Sequence, residues 1–211
     1  IYLGNNALEQ LNIIETSHNP SLIKLINSTS TAMGKRLLKE RLTHPVKDSK
    51  EILRRLALSK ELYDYHAPIE NELANIYDIE RLTRRIKLNR LHPFELNYLY
   101  DSLLSIKEVV TFMENYKFIT PPCSSADLSL FIQSIDSTFD LSISGKYMLK
   151  DVEVNMISEG INTQIDELNV QNEILYSKLE VLQRHILSYI KSDDSNFVGI
   201  NRLDKEGFFI T

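Results

Sequence analysis

Residues 159–190 read EGINTQIDELNVQNEILYSKLEVLQRHILSYI, and this stretch decides the fold class. Ile161, Ile165, Leu168, Asn172, Leu175, Leu179, Leu182, Ile186 and Tyr189 recur at alternating steps of four and three. That spacing puts one stripe along one side of an α-helix, as in the heptad seam of paired helices. The pattern predicts a helix from near Glu159 to the stop at Asp193-Asp194-Ser195. A helix of about 30 residues would be about 45 Å long. Asn172 occupies one seam position. Either it is a buried polar residue that sets register, or it lies where the seam meets solvent.

Upstream, the same alternation appears between Phe94 and Tyr116, where Leu96, Leu99, Leu103, Ile106, Val110 and Met113 form the stripe. His92-Pro93 precedes it as a break, and Pro121-Pro122-Cys123-Ser124-Ser125 follows as a loop. Shorter helices are predicted before it. One runs from Ala32 to Leu42 and stops before Pro45, because the residue before proline resists helical geometry. A second is capped by Asp48, with Glu51 three residues on, and runs to about Tyr65. A third opens at Pro68, with Ile69, Leu73, Ile76, Ile79 and Leu82 as one continuous stripe. Residues 7–15 fit a strand or a short helix, and Ser21 is a plausible cap for Leu22–Ile26. Residues 126–150 read as shorter pieces with a turn at Ser142–Gly145. Past the long helix, Phe197, Val198, Ile200, Phe208, Phe209 and Ile210 are strand formers. Gly207 suits a hairpin turn between them. The chain is therefore expected to be mainly α, a helical bundle with one long helix and a small terminal β-hairpin.

Composition agrees with that class. The chain has 211 residues, 43% hydrophobic and 25% charged, with only 6 Gly and 6 Pro to interrupt helices. No apolar run reaches the roughly 18–20 residues that span a bilayer, so no membrane role is expected. The single cysteine, Cys123, rules out an internal disulfide and a cysteine-cluster zinc site. It agrees with a reducing, intracellular setting; cytoplasmic, nuclear, organellar and viral origins are all left open. Ile1 in place of Met, and a strand-like end at Thr211, lead us to expect part of a longer protein.

Charge is unevenly spread. Residues 35–90 hold 14 Lys and Arg against 9 Asp and Glu, whereas residues 91–211 hold 9 against 18. The basic section could face an anionic partner or form a solvated, salt-bridged surface. The sequence offers no constellation for catalysis. The glycines at 4, 34, 145, 160, 199 and 207 include no pair five apart, so the chain has no G-x-x-x-x-G-K-[ST] phosphate loop. The histidines at 18, 44, 66, 92 and 185 lack metal-ligand spacing, and Cys123 has no histidine near it in sequence. No catalytic residue, metal or cofactor is expected in this chain.

Four ordered blocks carry a resemblance. Thr29-Ser30-Thr31-Ala32-Met33-Gly34-Lys35-Arg36-Leu37-Leu38 resembles the T-x-T-x-x-G-x-R-L-L signature of the MutS core. The next residues, Arg41 to Asp48, follow the family's W-L-x-x-P-L-x-D with Arg41 in place of Trp. Asp78-Ile79-Glu80-Arg81-Leu82 is similar to D-[IL]-E-R-L, and Gly160–Leu168 to G-[YF]-N-x-E-L-D-x-L. Gly207-Phe208-Phe209-Ile210 resembles the G-Y-Y-I strand of the family's DNA clamp. The resemblance implies a helical core over 1–155, a lever helix over 156–192, and the start of a clamp over 193–211. It marks Thr31, Gly34, Arg36, Asp78, Glu80, Arg81, Asn162, Asp166 and Gly207 as structural positions. Arg36 could pair with a carboxylate across the bundle, and Asp78, Glu80, Arg81, Arg84 and Arg85 read as one ion-pair network.

By the same resemblance, the full-length protein would be a DNA-dependent ATPase of mismatch repair using ATP and Mg. This region would relay motion to a clamp around duplex DNA, and the whole protein would form a homo- or heterodimer and contact further MutS domains. Lys191, Asn201, Arg202 and Lys205, at the clamp end, would touch DNA phosphates or be exposed turn residues. The alternative is a coiled-coil interaction scaffold with no nucleic-acid role, which the two heptad helices would serve equally well.

Overall fold

The computed structural model describes residues 5–14, 21–116, 120–150, 152, 154–190, 198–203 and 207–210; side chains are described for all of these except 5, 6, 202, 203 and 207–210. The chain divides into two compact units, Ile1–Met156 and Ile157–Thr211.

The first unit is helical. The segment left open between strand and helix contains a helix, α1 (Asn5–Gln10). It is followed by α2 (Leu22–Ile26), whose cap Ser21 accepts from the Lys24 backbone N–H. Next come α3 (Ala32–Thr43) and α4 (Ser49–Leu62). A short 3-10 turn, Tyr63–Tyr65, joins α4 to α5 (His66–Ala74).

Here the structure departs from the sequence reading. The stripe from Ile69 to Leu82 does not lie on one helix. Helix α5 ends at Ala74, and α6 (Ile79–Lys87) starts anew. Asp78 causes the break, because its carboxylate accepts the Arg81 N–H and so caps a new helix. The Tyr77 N–H, freed from helical pairing, donates to Ser102 Oγ at 2.9 Å.

Helix α7 (Pro93–Tyr116) is the axis of this unit. Its seam residues Leu99, Leu103 and Val110 are buried. The first part of residues 126–150, expected as short pieces, belongs to a 14-residue helix, α8 (Ser125–Thr138). A capping box explains it: Ser124 and Asp127 satisfy each other's backbone N–H groups. Leu82, Leu99, Leu103, Ile132 and Ile135 then close one core from α6, α7 and α8. The expected turn at 142–145 is a single helical turn, α9 (Leu141–Ser144). Asp140 caps it, and Asn97 of α7 clasps it by donating to Leu141 O at 2.8 Å and accepting from Ser144 Oγ at 2.6 Å.

The second unit is a helix and a hairpin. Helix α10 (Thr163–Ile190) has 28 residues, about 42 Å. It begins four residues later than the spacing suggests, because residues 158–162 form its capping turn. The hairpin pairs β1 (Ile200–Leu203) antiparallel with β2 (Gly207–Ile210), in the register Ile200↔Ile210. Gly207 is the first residue of β2 and pairs with Leu203. The turn residues 204–206 lie outside the described residues.

Candidate functional site

Helix α6 is short, but it is tied at both ends by arginine–carboxylate pairs to two other helices. At its N-terminus the partner comes from α3. Thr31 caps α3 by accepting the Gly34 N–H at 2.9 Å. A Cβ on Gly34 would stand 2.9 Å from that same Thr31 oxygen. The glycine therefore makes room for the cap, a physical reason for the Thr-x-x-Gly spacing.

Two positions on, Arg36 reaches α6. Its Nη1 and Nη2 donate to the two oxygens of Asp78, both at 2.7 Å. Its Nε and Nη2 also donate to Glu80 Oε2, at 3.1 and 2.6 Å. Asp78 thus serves as helix cap and ion-pair partner at once. The fork-shaped guanidinium suits such two-pronged contact. Hydrogen bonds from Arg36 hold the Asp78 carboxyl below its ordinary range, and Asp78 and Glu80 in turn raise Arg36. The side chains keep 49%, 24% and 69% of their exposure for Arg36, Asp78 and Glu80, so water weakens this junction.

The second junction is drier. Arg85, in the last turn of α6, pairs with Glu95 in the first turn of α7. Their side chains are 25% and 9% exposed. Glu95 also accepts the His92 backbone N–H at 2.9 Å, so it closes the start of α7. Arg85 Nε donates to Arg90 O at 3.2 Å, which pins the α6–α7 link.

This corrects the expected network. Asp78 and Glu80 find their arginine on α3, not among Arg81, Arg84 and Arg85. Arg81 lends its backbone N–H to Asp78, Arg85 faces Glu95, and Arg84 makes no ion pair among the described residues. Glu95 was missed altogether. Its signal was present, since an acidic residue three places after a His-Pro break has the spacing of a helix-start carboxylate.

In the second unit, Asn162 and Asp166 act together. Asn162 Oδ1 accepts the Gln164 N–H at 3.0 Å and that of Ile165 at 3.4 Å. Asp166 reaches back to accept the Gly160 N–H at 3.0 Å. Gly160 has φ +86, a conformation that L side chains rarely adopt. The block 160–166 is thus the starting clasp of the long helix.

The expected DNA-contact residues are less completely described. Lys191 and Lys205 lie outside the described residues, as does the Arg202 side chain. Asn201 is exposed on β1. No group of three or more His, Cys, Asp or Glu suited to a metal occurs among the described residues. No helix among them is long and apolar enough to cross a membrane.

The family model of MutS domain III matches residues 6–204. The chain belongs to this family. A mutS homologue of Acanthamoeba polyphaga mimivirus is 28% identical to it, over the whole of this chain and 21% of its own length. The DNA mismatch repair protein MutS of Clostridium kluyveri is 29% identical over 89% of the chain and 22% of its own length. That of Acholeplasma laidlawii is 31% identical over 77% and 19%. The chain spans about a fifth of the length of the curated relatives it matches. The braces of α6 and the clasp of α10 are therefore the local anatomy of a MutS domain III.

Proposed function

We propose that this chain is the core and lever of a MutS-type mismatch-recognition protein, together with the first part of its DNA clamp. In this reading residues 1–155 are the hub, 156–192 the lever and 193–211 the start of the clamp. The longer protein binds ATP and Mg outside this region, dimerises, and closes its clamp on duplex DNA. The present residues carry no chemistry; they relay motion. The observation that supports this most is the pair of arginine–carboxylate braces on α6. A relay must not dissipate movement, and α6 is braced to α7 by a drier pair at one end and to α3 by a more exposed one at the other. A helix of 28 residues leading to a hairpin suits an arm that enlarges a small rotation.

Asn201, Arg202, Lys205 and Lys191 are assigned to phosphate contact, which positions a protein without reading sequence. The acidic balance of residues 91–211 opposes DNA binding by this chain alone. The 211-residue chain is expected to bind duplex DNA weakly or not at all in a low-salt anisotropy titration; tight binding contradicts that. In the full-length protein, Arg202→Ala with Lys205→Ala should weaken binding on all sequences alike. Each lost phosphate contact should flatten the salt dependence by about 0.9 in log–log slope. An unchanged slope removes the hairpin from the interface.

The scaffold reading is supported by one feature. The α10 seam residues Leu168, Leu175 and Leu182 are exposed. Sedimentation of the full-length protein carrying Leu168→Glu and Leu175→Glu separates the two readings: a dimer lost with these changes favours the scaffold, and a dimer that persists favours the relay.

A further inference from the structure

Leu88 stands 54% exposed within the most cationic stretch of the chain. Residues 81–90 contain Arg81, Arg84, Arg85, Lys87 and Arg90 and no carboxylate, in a protein of net charge −5. Glu95 neutralises Arg85. Arg81, Arg84, Lys87 and Arg90 are exposed, and none makes an ion pair among the described residues. Leu82, on the other side of α6, is in the core. Arg81 and Arg84 lie one turn apart on α6, and Leu88, the residue that caps its C-terminus, follows them at i+7 and i+4. Asn89, at φ +52, turns the chain just beyond it, and the Arg90 carbonyl meets Arg85.

Cations near a helix C-terminus are favoured by the helix dipole. The dipole does not explain an aliphatic side chain left in water between them. A phosphate surface does not explain it either, since phosphate oxygens call for donors. An exposed aliphatic side chain within an arginine-rich stretch instead suits a protein–protein contact. We infer that the Arg81–Arg84–Leu88 face of α6 docks an acidic protein segment that bears an aliphatic side chain among its carboxylates. The carboxylates meet Arg81, Arg84, Lys87 and Arg90, and the aliphatic group covers Leu88. This inference stands independently of the relay role and of DNA.

The test uses the 211-residue chain and a labelled helical peptide of glutamates and leucines, with fluorescence anisotropy at low and moderate salt. Comparison probes are the same peptide with alanine for each leucine, and a random-sequence DNA duplex. Binding of the Glu/Leu peptide is expected, weakening with salt and weaker for the alanine version. Leu88→Ser and Arg84→Glu should each reduce affinity about tenfold, the size expected for losing one apolar or one charged contact. Lys60→Glu, an exposed cation on α4, should leave it unchanged. Far-UV circular dichroism checks that the exposed-site variants keep their helix. Indifference to Leu88→Ser, or equal binding of the alanine peptide, overturns the proposal. So does a failure of the Glu/Leu peptide to bind at low salt. Duplex binding that depends on Arg84 but not on Leu88 replaces it with a phosphate surface.

Discussion

Replacing Glu95 by Ala should cost the helical unit about 3 kcal/mol. Its carboxylate has two partners, the Arg85 guanidinium and the His92 backbone N–H. A charge-assisted hydrogen bond contributes about 1.5–3 kcal/mol, and a helix-start acceptor about 1 kcal/mol. Breaking a fully buried ion pair costs about 3–5 kcal/mol, because the remaining charge stays out of water. Arg85 keeps 25% of its exposure and can turn partly to solvent, so the value falls at the low end of that range. Glu95→Gln keeps the side chain's shape and can still accept the His92 N–H. It should cost about 2 kcal/mol, reflecting the lost charge alone. Arg85→Met combined with Glu95→Leu removes both charges together and should cost less than the sum of the two single changes. Urea unfolding followed by circular dichroism, with tyrosine fluorescence as a second probe, measures these variants and the single changes Arg85→Met and Glu95→Leu. A loss under about 1 kcal/mol for Glu95→Ala, or strict additivity of the double variant, would refute the reasoning.

Other outcomes follow from the same geometry. Arg36→Met should destabilise less than Glu95→Ala, since its junction is more exposed, and it should also alter the acid limb of the stability curve. Asp78 is held below its ordinary pKa by Arg36, so its contribution is complete above the unfolded value near pH 4 and is lost as pH falls through the lowered folded value. Removing Arg36 should flatten that limb, and a limb of unchanged steepness counts against the pairing. Arg54 and then Arg55 hold Glu51 down to about 2, so its contribution disappears between about pH 4.5 and 2; Arg54→Ala with Arg55→Ala should remove that segment of an acid titration. Thr31→Ala should cost about 1 kcal/mol as a lost helix cap, measured by thermal melting. Gly160→Ala should cost about 1–2 kcal/mol although no atom blocks its methyl group, because only the positive φ opposes it; a neutral result would show that the turn readjusts.

Much of the helical content was legible in periodicity. The bounds of α3 and α7 and the start of α4 follow from apolar spacing, proline breaks and capping residues, because these act over a few residues. The split between α5 and α6 was not, although Asp78 was in plain view. An aspartate inside an apolar stripe can sit on a helix surface or end one helix and begin the next. Arg36 and the burial of Ser102 against Tyr77 favour the second, and both come from distant parts of the chain.

The site residues divide in the same way. Thr31 with Gly34 and Asn162 with Asp166 act within six residues, so each pair falls inside one of the short blocks whose family resemblance marked it as structural. Arg36 with Asp78 is separated by 42 positions and Arg85 with Glu95 by 10, across helix boundaries. Charge composition showed that arginines and carboxylates were available, but not which would meet.

The two heptad stripes show where local information ends. The sequence by itself determined that both 94–116 and about 159–190 carry amphipathic helices, because a period of about 3.6 residues belongs to the backbone. Only the tertiary structure decided that Leu99 and Leu103 of the α7 stripe are buried against α6 and α8 while Leu168, Leu175 and Leu182 of α10 stay exposed. A seam states that a helix can be covered. What covers it depends on chain that is distant in sequence, and no local pattern encodes that contact.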